Sequence, residues 1–426
     1  MKTRLFITLM AIAVATVGFN AFAFHSGGVA ECEGCHSMHE PSSPAFLLKG
    51  ADDSSTCLQP TCHDNTTDTV PSSYHVSTSN VTRSSANPTG KLPVQRTPGG
   101  DFGWLKVSYS WSGGSESGAS HGHNIIAAGP GYTIDPELAT APGGVFPASN
   151  LSCQSCHDPH GKGRKLSDGT FAATGAPIIG SGSYNNSVIP AAGQAVGLYR
   201  ILWGAVGDHK PAGANFTSYP VAIAPATYNR TEATTQTRVA YGAGGTANSW
   251  GNWCGACHGD FNTTMKNLKH PVDVPLGSGN IADNYNAYVS SGIMTGTSLN
   301  SYLSLVPFAE TSQDTFTATA LKAHAKIDNT YLVGPGNTDT VTCLSCHRAH
   351  ASGFGEMLRF YYSYEFMTKN GLYVGMDNPA VGTTGRGPIQ ASGRNQDDFA
   401  AAYYDRAPSF TGPYNRLLCN KCHAQD

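Results

Sequence analysis

Apolar positions along this chain seldom keep a period for more than a few residues, so the pattern predicts little regular secondary structure. Leu105, Val107, Tyr109 and Trp111 alternate with Lys106, Ser108 and Ser110, the signature of one half-buried strand. Longer helices are expected near Met357 to Phe366 and near Asn395 to Tyr404, with polar stretches such as Thr67 to Gly100 and Gly169 to Gly197 in between. One apolar run is uninterrupted, Leu5 to Phe19, preceded by Lys2 and Arg4 and followed by Ala21-Phe22-Ala23. That order of charge, apolar stretch and small residues reads as a secretion signal with a mature start at Phe24. No later run is long enough to span a membrane, and no cysteine stands at the cleavage site for lipid attachment. The expected organisation is a leader over residues 1–23 and a single domain over 24–426.

Charged residues make up 13% of the chain, about half the usual share, while 49 glycines and 25 prolines interrupt it. Such a chain lacks the material for a large aliphatic core and needs another source of buried apolar surface. Of 26 basic and 29 acidic residues, two basic ones leave with the leader, so the mature chain is acidic. That balance argues against nucleic acid or an anionic membrane surface as a partner.

The missing surface has a source in the cysteines. All 12 fall in six motifs where a close pair is followed at once by histidine. The pairs are Cys32 and Cys35, Cys57 and Cys62, Cys153 and Cys156, Cys254 and Cys257, Cys343 and Cys346, and Cys419 and Cys422. The histidines are His36, His63, His157, His258, His347 and His423. Two thiols and an adjoining imidazole in this order attach a c-type haem: thioethers fix the porphyrin edge and the histidine reaches the iron. A zinc half-site or a redox pair would not repeat six times on an exported chain, and structural disulfides would not require each histidine. The expectation is six c-type haems and a fold of mostly irregular coil, with short helices at the motifs and few strands, organised around a continuous chain of haems. The second motif has four residues between its cysteines, including Pro60, so its loop must bulge to deliver both sulfurs.

Ten further histidines are available as second ligands: His25, His39, His75, His121, His123, His160, His209, His270, His324 and His350. His39, His160 and His350 each follow a motif histidine by three residues, at the first, third and fifth motifs. With about 3.6 residues per turn, the second ring cannot reach the opposite face of the same porphyrin, so it serves another haem. The even-numbered haems draw on the long connections. His270 and His324 are candidates for the fourth and sixth, and His123 or His75 for the second. His121 and His209 read as bystanders, and His25 stays open. The tyrosines and tryptophans are expected to pack on porphyrin faces and fill the core, and Lys162, Arg164, Lys165 and Arg348 to pair with propionates or face solvent.

Beyond the motifs, the segments Phe24 to His36, Thr97 to Trp104, Cys156 to Gly161, Tyr228 to Gly242, His324 to Asp328, Cys343 to Phe354 and Leu418 to Ala424 carry a resemblance. In these the chain resembles the outer-surface six-haem cytochromes of metal-reducing bacteria, the OmcS type, which polymerise into conductive extracellular filaments. The resemblance implies a haem chain along each subunit, alternating parallel-stacked and perpendicular pairs, with the position of His39 ligating the fifth haem of the adjacent subunit. It also implies two residues between the cysteines at the second motif, from which Cys57 and Cys62 depart.

The residues lead to the same junction. If His160 serves the first haem and His350 the third, each bridging ring acts two haems back, and His39 points to a haem its own chain does not contain. A donor without a site and a site without a donor define a head-to-tail interface that builds an open filament. The expected function is long-range extracellular electron transfer. Electrons would come from upstream periplasmic or outer-membrane cytochromes and pass to metal oxides, electrodes or partner cells, with no bond made or broken in a substrate. The alternatives are a monomeric periplasmic shuttle or store, and a multihaem reductase of nitrite or hydroxylamine, which needs an iron with an open position.

Overall fold

One-turn helices recur at the cysteine pairs because each motif closes on itself. In the computed structural model, which describes residues 32–43, 46–71, 74–205, 211–226, 237–245, 248–263, 272–277, 279–311, 319–376, 392–409, 412 and 414–423, the motif histidine's N–H donates to the carbonyl of the first cysteine all six times. The distances run from 2.9 Å at His36 and His347 to 3.2 Å at His63. The helices are Cys32–Cys35, Asp53–Cys57, Trp250–Cys254, Cys343–Cys346 and Asn420–His423, with a 3-10 turn at Cys153–Ser155. The second motif keeps the same closure despite its longer insert. Its helix ends at Cys57, Cys62 N–H turns back to the Gln59 carbonyl at 2.8 Å, and the extra residues bulge outward as expected.

The remaining regular structure is slight. Among the described residues three small sheets have three strands each, centred on Phe366–Lys369, Arg164–Leu166 and Ala240–Gly242, and a hairpin joins Tyr109–Trp111 to Gly114–Glu116. Val107 and Tyr109 are buried and Ser108 and Ser110 exposed, as the alternation predicts, but the strand covers only Tyr109–Trp111, because Phe102–Lys106 winds into a 3-10 helix capped by Asp101. The helix near Asn395 forms as Gln396–Ala402. Asn395 caps it by accepting from Asp397 and Asp398 N–H, and Asp398 answers to Asn395 N–H. The helix expected over Met357 to Phe366 does not form. Glu356 and Met357 sit at φ of 57° and 59°, in the left-handed region, and Arg359 N–H is drawn to the Cys346 carbonyl at 2.8 Å. Tertiary hydrogen bonds to the fifth motif override helix propensity there.

The core is aromatic. Its largest cluster gathers Trp104, Tyr109, Tyr285, Phe308, Phe354, Tyr361, Tyr373, Phe399 and Tyr403, reached by the half-buried Cys346 and Cys422. The basic residues expected at propionates or in solvent divide. Arg348 is fully buried, stacked on Tyr404 with its guanidinium carbon 3.7 Å from the ring centre and donating to the Pro98 carbonyl at 3.1 Å. Lys165 is half-buried, and that burial lowers its ammonium to about 8.

A buried ionic network fastens the N-terminal half to the helix Gln396–Ala402 and the residues just before it. Arg83 donates to Asp398, which also accepts from Tyr109 at 3.1 Å, while Arg394 lies over the Tyr109 ring and donates to Glu116. His121 Nε2 meets the same Glu116 at 2.5 Å. Burial acts to raise Glu116, but the bonds from His121 and Arg394 overcome it and hold the carboxyl at about 2. A carboxyl depressed in the folded state contributes stability that is complete above its unfolded value of about 4.3 and is lost as pH falls toward the folded one. Glu116→Gln should therefore cost about 3 kcal/mol near neutral pH. It should also flatten the fall in stability between about pH 4 and pH 2, as read by urea unfolding.

Candidate functional site

Five motif histidines, His36, His63, His157, His258 and His347, hold their rings in one way. Nδ1 faces a backbone carbonyl: Phe46 for His36 (2.9 Å), Tyr74 for His63 (2.9 Å), Arg200 for His157 (2.9 Å), Pro142 for His258 (2.7 Å) and Glu356 for His347 (2.7 Å). A carbonyl accepts only, so Nδ1 carries the proton and Nε2 keeps a lone pair for a metal. The sixth, His423, lies exposed on its own helix.

The carbonyls at the first, third and fifth motifs come from one repeated device. Ser37, Asp158 and Arg348, each following its motif histidine, donate to the carbonyls of Leu47, Ile201 and Met357 at 2.7, 2.7 and 2.9 Å. Lys49, Trp203 and Arg359 then donate to the second cysteine's carbonyl at 2.9, 3.0 and 2.8 Å. At the third and fifth motifs the device is a tight turn whose two central residues, Arg200-Ile201 and Glu356-Met357, all have φ between 49° and 59°. That geometry normally calls for Asn-Gly, and holding a β-branched Ile there costs about 1–3 kcal/mol, an outlay typical of positions that aim a functional group. At the fourth motif Pro142-Gly143-Gly144 does the same work, and a Cβ on Gly144 would lie 1.8 Å from the Cys257 carbonyl. Sequence reasoning missed these clamps. Their signal is the run of two apolar residues in Leu47-Leu48, Ile201-Leu202 and Met357-Leu358, downstream of each motif that carries the extra histidine.

Two of the predicted second ligands meet motif histidines ring to ring. His350 lies opposite His157 with ring centres 6.4 Å apart, and His123 lies opposite His258 at 6.1 Å. Two metal–nitrogen bonds of about 2 Å, plus about 1 Å from each nitrogen to its ring centre, add to about 6 Å, so each pair has room for one iron between its rings. Burial, followed by the facing imidazole, lowers His123 to about 4 and His350 to about 3, which keeps both rings in the neutral form a metal requires. His123 is thus brought to the fourth motif rather than to the second. Its Nδ1 bonds the Ala349 carbonyl at 2.8 Å, and its N–H bonds the His350 carbonyl at 3.0 Å, which ties the two distal rings to each other. His350 is seated by the Thr97 to Trp104 segment. Its N–H donates to Gly99 at 2.7 Å, its ring stacks on Phe102 at 4.7 Å, and a Cβ on Gly100 would collide with the Ala351 carbonyl.

His75 is buried, with Nδ1 on Asp68 Oδ2 at 2.7 Å and a buried Nε2 that has no hydrogen-bond partner. His324 presents Nδ1 to Glu310 at 2.6 Å and stacks on Tyr331 at 4.1 Å, while Arg238 holds the other Glu310 oxygen at 2.8 Å. His39 and His160 are exposed. His121 has both ring nitrogens engaged, by the Trp104 carbonyl at 3.0 Å and by Glu116, and so has none to offer a metal. His25, His209 and His270 lie outside the described residues.

None of the 12 cysteines is in a disulfide, and the pairs succeed one another in chain order. Burial and the neighbouring Cys57 and Cys62 raise Cys35. The adjoining Cys153 raises Cys57, and the adjoining Cys343 raises Cys254, burial adding to both. Burial and the nearby Cys257 raise Cys156 to about 12, and burial with Cys419 and Cys422 does the same for Cys346. Each motif therefore abuts the next from first to sixth. A pair of thiols in every motif, imidazoles with a committed Nδ1 and ring pairs spaced for one iron together fit covalent haem. Among the described residues, no group of three or more His, Cys, Asp or Glu side chains gathers as a site for a bare metal ion, and no helix is long and apolar enough to cross a membrane.

No protein-family model matches the chain. It is 47% identical over 450 aligned residues to the C-type cytochrome OmcS of Geobacter sulfurreducens, across 100% of this chain and 99% of that one. Among solved structures it is similar to the OmcS nanowires of Geobacter sulfurreducens seen by cryo-EM and to the Outer Membrane Cytochrome S filament of the same organism. Each is 47% identical with a TM-score of 0.80, over 95% of this chain and 100% of the solved chain. Identity at this level along the whole length, joined to the motif geometry, places the chain in the OmcS family of c-type cytochromes, electron-transfer proteins with covalently attached haem.

Proposed function

We propose that the protein holds six haems, each between two histidines, and that it is the subunit of a head-to-tail filament carrying electrons outside the cell. The observation that carries this reading is the facing of His123 with His258 and of His157 with His350, at separations suited to one iron. Haem held between two histidines would supply outer-sphere electron transfer, and the two rings would leave no coordination position for a substrate. That both solved relatives are filaments supports the assembly.

The six cysteine pairs and His36, His63, His157, His258, His347 and His423 hold the haems from the motif side. On the far side His350 serves the third haem and His123 the fourth. His160 is assigned to the first, and the exposed His39 to the fifth haem of the next subunit. His75 and His324 then remain for the second and sixth. Residues 1–23 direct export, upstream periplasmic and outer-membrane cytochromes supply electrons, and metal oxides, electrodes or partner cells receive them.

The purified mature protein should weigh six haems more than its polypeptide, about 0.6 kDa each, and its reduced form should bind no carbon monoxide. Stoichiometric binding at one haem would favour the reductase, and a mass five haems heavier would mark the Cys57/Cys62 site as unfilled. His123→Ala should turn one haem in six high-spin, whereas His121→Ala should leave every haem low-spin; visible absorption of the oxidised protein separates the two results. His39→Ala should retain six haems yet weaken or abolish filaments under the electron microscope. Filaments of normal stability with six low-spin haems would remove His39 from the junction and favour a monomeric shuttle.

A further inference from the structure

The histidines differ in what holds Nδ1. His36, His63, His123, His157, His258 and His347 each donate to a backbone carbonyl, a neutral acceptor. His75 and His324 instead meet carboxylates, Asp68 Oδ2 at 2.7 Å and Glu310 Oε2 at 2.6 Å. Both pairs are sheltered: side-chain exposure is 5% for His75, 15% for Asp68, 17% for His324 and 6% for Glu310, so solvent screens these bonds little. The carboxylates are themselves positioned. The Gln95 amide donates to Asp68 Oδ2 at 2.7 Å, and Arg238 donates to Glu310 Oε1 at 2.8 Å.

A carboxylate that accepts the Nδ1 proton pulls it partly off the ring, so Nε2 becomes a stronger electron donor. A stronger axial donor stabilises the oxidised iron over the reduced one and lowers the reduction potential. The site between His123 and His258 is the internal standard, because both of its rings are held by backbone carbonyls. Resting on the ligand assignment above, we propose that Asp68 and Glu310 are potential-setting residues, which make the His75 and His324 sites lower in reduction potential than the His123–His258 site. Electron occupancy along the chain of haems is then uneven by construction. At Glu310 part of the charge is shared with Arg238, whose loss of a partner would also disturb the packing of Tyr302 and Tyr331 on that guanidinium. Asp68 is therefore the cleaner place to test the effect.

The test is a potentiometric titration of the purified holoprotein, followed in the visible haem bands, for the parent, Asp68→Asn and Asp68→Glu. Asn keeps a neutral acceptor for Nδ1 and removes only the charge. The expected result is that one-sixth of the absorbance change moves from the low-potential limb to higher potential. The reduced-to-oxidised ratio of that haem at a fixed poise should rise about tenfold, equivalent to about 59 mV for one electron. Low-spin spectra should be unchanged, and Asp68→Glu should titrate as the parent does. Superimposable curves for Asp68→Asn and the parent would overturn the proposal. His75→Ala tests the assignment beneath it separately: one high-spin haem upholds His75 as a ligand, and six low-spin haems remove it. Should Asp68→Asn fail to load its haems, Glu310→Gln gives the same reading at the His324 site, where an unmoved titration overturns the proposal equally.

Discussion

An imidazole can offer a metal only the nitrogen it has not already committed, and the architecture depends on where the committed one is spent. At five motif histidines and at His123 it is spent on a backbone carbonyl. Each such bond fixes the tautomer and the ring direction together, and each requires a chain segment to approach the motif with its carbonyl aimed inward. Those segments are the clamps: the left-handed turns at Arg200-Ile201 and Glu356-Met357, and the glycine-bearing bend at Pro142-Gly143-Gly144. His121 shows the converse, since with both nitrogens bonded it becomes a structural member of the Glu116 and Arg394 network.

The sparse secondary structure follows from the same demand. Backbone that would otherwise pair in sheets is used to hold histidines, so the strands shrink to two to four residues and the helices at the motifs to a single turn or little more. The aromatic core fits a chain poor in aliphatic residues, because large flat side chains bury area at low cost in conformational entropy and offer faces to other flat groups. A protein built this way has little reason to be stable before its haems are attached, since the clamps order imidazoles that the proposed function assigns to iron.

Much of the site was legible in the sequence because its chemistry is local. The pairs Cys153 and Cys156 or Cys343 and Cys346 announce themselves by spacing, the motifs were expected on short helices, and Asn395 marked the start of the Gln396–Ala402 helix. What lies in long-range contacts was not legible. His123 was expected, with His75, to serve the second motif, yet its direction is set by the Ala349 carbonyl, 226 positions along the chain. The apolar residues from Met357 to Phe366 have helix-compatible spacing, but Leu358 forms a bridge with His347 and the chain turns away. The carboxylates behind His75 and His324 were invisible for the same reason. An Asp seven residues before a histidine and a Glu fourteen before another carry no local signature.

A cryo-EM reconstruction of the secreted holoprotein tests the central claim most directly. The account predicts six porphyrins in single file in the order of their motifs, with density joining His123 and His258 to the two faces of one iron and His157 and His350 to those of the preceding one. Density linking His123 to the porphyrin at Cys57 and Cys62, or a break in the file between Cys57 and Cys153, would contradict it.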